Sequence, residues 1–228
     1  MSERTGKLSI VGTPIGNRED ITLRALRTLR EADVIAAEDT RHTGQLLAHF
    51  EIRKPLLSYH EFNEAQRTPE LLAKIQDDYR VALVSDAGMP TVSDPGARLI
   101  RAARDANLPV EVIPGPSAVT TALAGSGLGG GPFHFHGFLP HKSGQRRKVL
   151  TALASLPVTL VFFESPYRLL KSLGDMEEIL GHRRVVVARE LTKKFEEFIR
   201  GDLAEVRKRL EPRSIKGEIT IIIEAKNE

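Results

Sequence analysis

Val81-Ala82-Leu83-Val84 is an apolar run of strand length. Ser85 to Gly96 (SDAGMPTVSDPG) follows it, and Ala97 to Arg104 then takes up helical periodicity. A strand, a glycine- and proline-rich loop and a helix in succession confine this region to an α/β arrangement. In such folds ligands sit beyond the carboxyl ends of the strands. Gly88 and Gly96 permit close backbone approach or positive φ. Pro90 and Pro95 stiffen the loop, and Pro95 suits the first turn of the next helix. The loop has no lysine and carries two carboxylates, Asp86 and Asp94. A triphosphate loop would be G-x-x-x-x-G-K-[ST], so a polyphosphate is disfavoured. A ligand with amino, hydroxyl or cationic groups is favoured. A tight turn with two helix-capping aspartates fits the loop equally well, and capping is the preferred role for Asp94.

The same succession recurs. Strands are expected at 7–11, 34–37, 56–60 and 110–113. Helices are expected at 21–31 with Asp20 as N-cap, at about 43–50, and from Thr68-Pro69 onward. Strands alternating with helices predict an α/β domain with a largely parallel sheet. Gly125 to Pro132 (GSGLGGGP) is the one strong composition break, and it places a domain boundary between residues 1–127 and 128–228. Beyond it, strands are expected at 133–138, 158–163, 185–188, 196–200 and 218–224. A basic helix is expected at 143–155, one capped by Ser165-Pro166 runs to about 180, and one capped by Asp202 precedes the last strand. Runs of consecutive strands predict a second α/β domain with a mixed sheet.

The absence of cysteine excludes disulfides and thiolate metal sites. It also favours an intracellular, cytoplasmic home. The N-terminal MSERTGKLSIVG lacks a signal-peptide core, and no stretch approaches the length needed to span a membrane. A net charge of +3 is only a mild lean toward an anionic partner. His134 and His136 share one face of a strand without a third ligand, so no metal site is expected.

The loops GTPIGN (12–17), AEDTRHT (37–43), SDAGMPTVSDPG (85–96), PGPSAV (114–119), GFLP (137–140), FFESPYRL (162–169), ARELTK (188–193) and KGE (216–218) stand in a distinctive order and spacing. Together they resemble the ribosomal RNA small subunit methyltransferase I family, a branch of the tetrapyrrole methylase superfamily of S-adenosylmethionine (SAM) enzymes. The likeness runs from about residue 7 to 225. It implies two α/β domains with the cofactor in the cleft between them, and a homodimer. The reaction implied is methylation of a cytidine ribose 2′-hydroxyl in 16S ribosomal RNA near the decoding centre, so the partner is that RNA or the small ribosomal subunit. Met89, Tyr167 and Gly12 depart from residues common in the family without removing a chemical group. Many relatives continue into a small helical extension, whereas this chain stops at Glu228.

The resemblance assigns cofactor contacts to Asp86, Ala87, Gly88 and Pro90, to Ser117, Ala118 and Val119, and to Glu164, Ser165 and Leu191. Helix capping competes for Ser117, Glu164 and Ser165. Methyl transfer to a ribose hydroxyl needs in-line positioning and a base or oxyanion stabiliser. Asp39, Arg41, Glu190 and Lys193 are the catalytic candidates, with Arg189 beside them. A lysine base would need its pKa lowered, and ion pairing is the plainer reading for the whole set, favoured for at least half of it. For RNA contact the candidates are Asn17 and the run KSGQRRK, with Lys142, Arg146, Arg147, Lys148 and no carboxylate. Arg24, Arg27 and Arg30 form a weaker patch. The aromatic fraction of 5% argues against a stacking platform. Two rival functions are a tetrapyrrole (precorrin-type) methyltransferase and a non-catalytic RNA-binding, ribosome-assembly protein. GTPIGN disfavours the first, since such enzymes show a richer loop resembling G-x-G-P-G-D-P.

Overall fold

A computed structural model describes residues 5–226. Residues 1–4 of the N-terminal segment and the chain end at Glu228 lie outside the described residues. The chain divides into two compact units, Met1–Ser117 and Ala118–Glu228.

The first unit holds five strands: β1 (Lys7–Val11), β2 (Val34–Ala37), β3 (Leu56–Ser58), β4 (Arg80–Val84) and β5 (Val110–Ile113). All pair in parallel, in the order β3-β2-β4-β1-β5. Both faces of the sheet are covered, as a parallel sheet requires. Ala82 and Val84 of β4 join one core with Leu26, Leu29 and Leu47. Val81 and Leu83 join the other with Leu71, Ile75 and Leu99. The period of two along β4 decides which side chain enters which core.

Helices α1 (Leu23–Glu31), α2 (Thr40–His49), α3 (Glu64–Gln76) and α4 (Ala97–Asp105) connect these strands, and their starts differ from expectation. Thr22, not Asp20, caps α1: the Ala25 N–H donates to Thr22 Oγ1 at 3.0 Å. Asp20 lies in a short 3₁₀ turn capped by Asn17. Asp39 caps α2, accepting from the Arg41 N–H at 2.8 Å. Pro69 lies inside α3 rather than at its start. Pro95 precedes the α4 cap, which is Gly96 with φ +129°.

The second unit opens with α5 (Ala118–Ser126), so the division falls before the glycine run rather than within it. Val119, Ala122 and Leu123 of α5 are buried. The Arg200 guanidinium donates to Gly125 O at 2.7 Å, and a Cβ on Gly125 would stand 2.4 Å from the Phe198 ring. Flexible composition marked a loop, but burial of the helix ahead of it decided the domain. The sheet comprises β6 (Phe133–Phe138), β7 (Thr159–Glu164), β8 (Arg184–Arg189), β9 (Glu197–Asp202) and β10 (Ile219–Ile223). Its order is β6-β7-β10-β8-β9, with β6 parallel to β7 and the other pairs antiparallel. Helices α6 (Ser143–Leu153), α7 (Leu169–Leu180) and α8 (Leu203–Leu210) bury Leu150, Leu173 and Val206 in one core with Val185 and Ile221. Asp202 caps α8 as expected, in a reciprocal box with Glu205. Among the described residues no helix is long and apolar enough to cross a membrane.

Candidate functional site

Parallel pairing carries all the loops that follow β1 to β5 to one edge of the first sheet. Four of the eight motifs, those beginning at 12, 37, 85 and 114, start there. The chain leaves β1 and β2 toward one side of the sheet order and leaves β3 and β4 toward the other. β4 therefore ends at a topological switch point, where open α/β sheets bind ligands.

Glycine makes the convergence possible. The loops after β1 and β4 are bridged by a reciprocal pair, Thr13 N–H to Gly88 O at 2.9 Å and Gly88 N–H to Thr13 O at 3.1 Å. On the other flank, a Cβ on Gly12 would lie 2.7 Å from Gly115 Cα, and one on Gly115 would lie 2.9 Å from Gly12 Cα. Gly88 itself has φ +82°. Thr91 and Ser93 are also left-handed, at +73° and +70°. That costs non-glycine residues about 1 kcal/mol each, so the surrounding loop must hold them there. The SDAGMPTVSDPG and PGPS turns thus flank the GTPIGN turn on one edge.

Carboxylates gather beside them. Asp86 accepts from the Asp39 N–H at 3.0 Å. Asp94 does not cap α4: its carboxyl is pushed up to about 6 by burial and by the charges of Glu38 and Asp86, against a hydrogen bond from Ser85. Burial and the Asp86 charge also raise Glu38. Asp39 moves the other way, held well below the ordinary range by hydrogen bonds from the Arg41 side chain and backbone.

This arrangement makes a pH prediction. Folded Asp94 binds its proton more tightly than the unfolded chain does, so native stability rises as pH falls through about 6 toward 4. Asp94→Asn is expected to stabilise the protein by about 1 kcal/mol near pH 8, a value reduced for partial exposure, and by nothing near pH 4. Denaturant titrations at the two pH values measure this, and equal effects at both would refute it.

The other four motifs also share an edge, that of the second sheet. β10 runs antiparallel between β7 and β8, so Ile219 pairs with both Glu164 and Arg189. The Glu164 side chain is fully buried and engaged within this unit: it accepts from Ser165 N–H at 2.7 Å and Ser172 Oγ at 2.5 Å, and pairs with Arg168 at 2.5 Å. Ser165 O accepts from the N–H groups of Arg168 and Leu169, and α7 begins at Leu169 rather than at Pro166. Leu191 is buried. Glu190 and Thr192 around it have φ of +50° and +64°.

Lys193 Nζ lies 3.0 Å from both Glu190 and Glu218. Burial alone would lower its pKa, but these hydrogen bonds hold it above the ordinary lysine value. That is the opposite of what a lysine base needs, so Lys193 is an ammonium here. Glu190 is opposed by burial but lowered by the Glu218 N–H and by Lys193. Arg189 pairs with Glu197 and Arg41 with Asp39. The ion-pair role read from sequence describes the whole set, with partners that sequence did not name.

The basic run on α6 is not free of acids. Arg146 is only 4% exposed, and its Nε donates to Asp175 at 2.6 Å. Arg147 pairs with Glu178 and Asp175. Both acids come from α7, so only tertiary packing reveals them. Arg146 is a buried ion-pair member, not a surface cation, and the exposed charge on this run outside ion pairs narrows to Lys142 and Lys148. Asn17 accepts from Glu19 N–H at 3.1 Å. Sequence reasoning missed Glu38, which directly follows β2, and gave Asp94 a capping role that the structure does not show. The visible signal was two carboxylates on loops leaving adjacent strands.

Comparison with known proteins agrees with this architecture. The family described as Tetrapyrrole (Corrin/Porphyrin) Methylases matches residues 7–207. A Thermotoga maritima protein named ribosomal RNA small subunit methyltransferase I is 50% identical over 97% of this chain and 99% of its own length. One of the same name from Micromonospora olivasterospora is 49% identical over 96% of this chain and 70% of its own. Among solved structures, diphthine synthase superposes with a TM-score of 0.74 at 17% identity, covering 96% of this chain and 90% of that one. Thermus thermophilus uroporphyrin-III C-methyltransferase, complexed with S-adenosylhomocysteine, gives 0.67 at 22%, covering 96% and 97%. At those identities the two structures speak for the fold alone. The chain belongs to the tetrapyrrole methylase family of SAM-dependent methyltransferases, and within it to the ribosomal RNA small subunit methyltransferase I group.

Proposed function

We propose that this protein methylates the 2′-hydroxyl of a cytidine ribose in 16S ribosomal RNA near the decoding centre, working as a homodimer in the cytoplasm. The observation that carries this reading is the 50% identity to the Thermotoga maritima protein across nearly the whole of both chains. The geometry supports it. SAM supplies a methyl group on a sulfonium that leaves readily once a nucleophile is aligned. Asp86, Ala87, Gly88 and Pro90 would hold it, with Ser117, Ala118 and Val119 following the second turn. Carboxylates at Glu38, Asp86 and Asp94 favour the cationic end of such a ligand. The glycine contact between residues 12 and 115 lets backbone amides line the same edge.

A ribose hydroxyl becomes a useful nucleophile only as its proton leaves. Asp39 and Glu190 are poor acceptors because their partners hold them ionised and weakly basic. Asp94 and Glu38 have raised proton affinity and take that role in this reading. The test is transfer of a labelled methyl group from SAM to small ribosomal subunits, naked ribosomal RNA and a tetrapyrrole in parallel. Label recovered as 2′-O-methylcytidine is the expected result. Label on the tetrapyrrole alone would overturn the reading, and absence of any heat with millimolar SAM would favour a non-catalytic assembly protein.

A further inference from the structure

Among the described residues, three arginines on one helix make no ion pair. Arg98, Arg101 and Arg104 lie on the exposed face of α4. Their side chains make no ion pair or hydrogen bond among the described residues. Arg98 and Arg101 line a groove of about 480 Å³ with Glu64, Ala102 and Asp105. Of the two acids there, Glu64 is occupied by the Gly96 N–H at 2.7 Å, and Asp105 is the exposed last residue of α4, so three guanidiniums outnumber the acids. The first turn of α4 has no acidic residue.

Arg98 does not serve the helix there, whereas Arg104, in the last turn, does. A helix start carries partial positive charge, and a cation near it is unfavourable for folding. Arg98 stands at that start, directly after the SDAGMPTVSDPG loop, with Arg101 about one turn further along the same exposed face and Arg104 in the last turn. Several arginines of the other basic stretches are engaged. Arg146 and Arg147 of α6 are matched by Asp175 and Glu178. Arg24 and Arg30 of α1 donate to the carbonyls of Val112 and Phe50.

We propose that α4 grips backbone phosphates of the RNA substrate through Arg98, Arg101 and Arg104, a role that rests on the proposed function. Unpaired guanidiniums bind phosphates in fork geometry and position a substrate without reading its sequence. Each phosphate neutralised releases counterions, so binding must weaken with salt in proportion to the contacts made.

The test measures binding of unmethylated small ribosomal subunits across a series of KCl concentrations, for wild type, Arg98→Gln/Arg101→Gln/Arg104→Gln and the matching triple lysine variant. The glutamine variant should bind roughly tenfold or more weakly near physiological salt, with a log–log salt slope shallower by about 2. Its SAM affinity by calorimetry should match wild type, which shows the fold intact. The lysine variant should keep the wild-type slope, because charge rather than shape sets it. A glutamine variant with wild-type affinity and slope would overturn the α4 surface and leave the methyltransferase reading standing. A wild type that neither binds nor methylates subunits would overturn both.

Discussion

Gly115→Ala is expected to cut SAM affinity by roughly ten- to a hundredfold. The new methyl would sit 2.9 Å from Gly12 Cα and 3.1 Å from Gly12 O. Those are backbone atoms at the end of β1, whose Val11 is fully buried, so neither side can swing away. The loops after β1 and β5 must part by several tenths of an ångström. Overpacking of this kind costs about 1–3 kcal/mol, and if the strain is relieved by moving the ligand loops, the same energy appears as lost affinity. Calorimetric titration with SAM reads the effect directly. Gly144→Ala is the control: that glycine lies in α6 with nothing within 4 Å of the added carbon, and helix propensity favours alanine. A Gly115→Ala protein that binds SAM like wild type would remove the glycine contact from the argument.

The second large effect concerns stability. Arg146→Ala should destabilise the protein by about 3–5 kcal/mol, because it leaves a buried carboxylate without its main partner. Arg146 touches Asp175 through Nε and a terminal nitrogen at 2.6 and 2.5 Å, and also reaches the His141 carbonyl at 3.3 Å. Only the Ser143 hydroxyl, at 3.1 Å, and Arg147, at 3.5 Å, would remain beside Asp175. Arg147→Ala, one residue along, should cost under about 1 kcal/mol, since its ion pair with Glu178 is exposed. Pairing Arg146→Met with Asp175→Leu should restore most of the loss, as apolar replacement of a buried pair often does. Urea unfolding of the four proteins separates these outcomes. Equal, small losses for both single arginine variants would mean that Arg146 is a surface cation after all.

That contrast shows how far a sequence can be read. Arg146 and Arg147 are neighbours of the same type in a run without acids, and nothing local tells them apart. Helical rotation buries one against α7 and leaves the other at the exposed rim of that contact, and the acids that meet both lie roughly thirty residues away on α7. Lys193 is a similar case. Its partner Glu190 is local, but Glu218, the residue just before β10, is brought beside it by sheet pairing and keeps the lysine charged. The compact units part after Ser117, ahead of the glycine run, for a different reason. Glycine content reports chain flexibility, whereas membership of a unit depends on which sheet buries Val119 and Leu123.

Local pattern alone determined the alternation of strands and helices, the parallel character of the first sheet and the mixed character of the second. It also determined that loops rich in glycine and proline follow β4 and β5. These features depend on side-chain periodicity and turn chemistry, which act over a few residues. Tertiary structure alone decided that β1 lies between β4 and β5, so that Gly12 meets Gly115 and Thr13 bridges to Gly88. It alone set Glu38, Asp86 and Asp94 against one another and left the α4 arginines without an ion pair among the described residues. Strand order and charge pairing arise from contacts between residues far apart in the chain, and a linear pattern does not encode which distant partner wins.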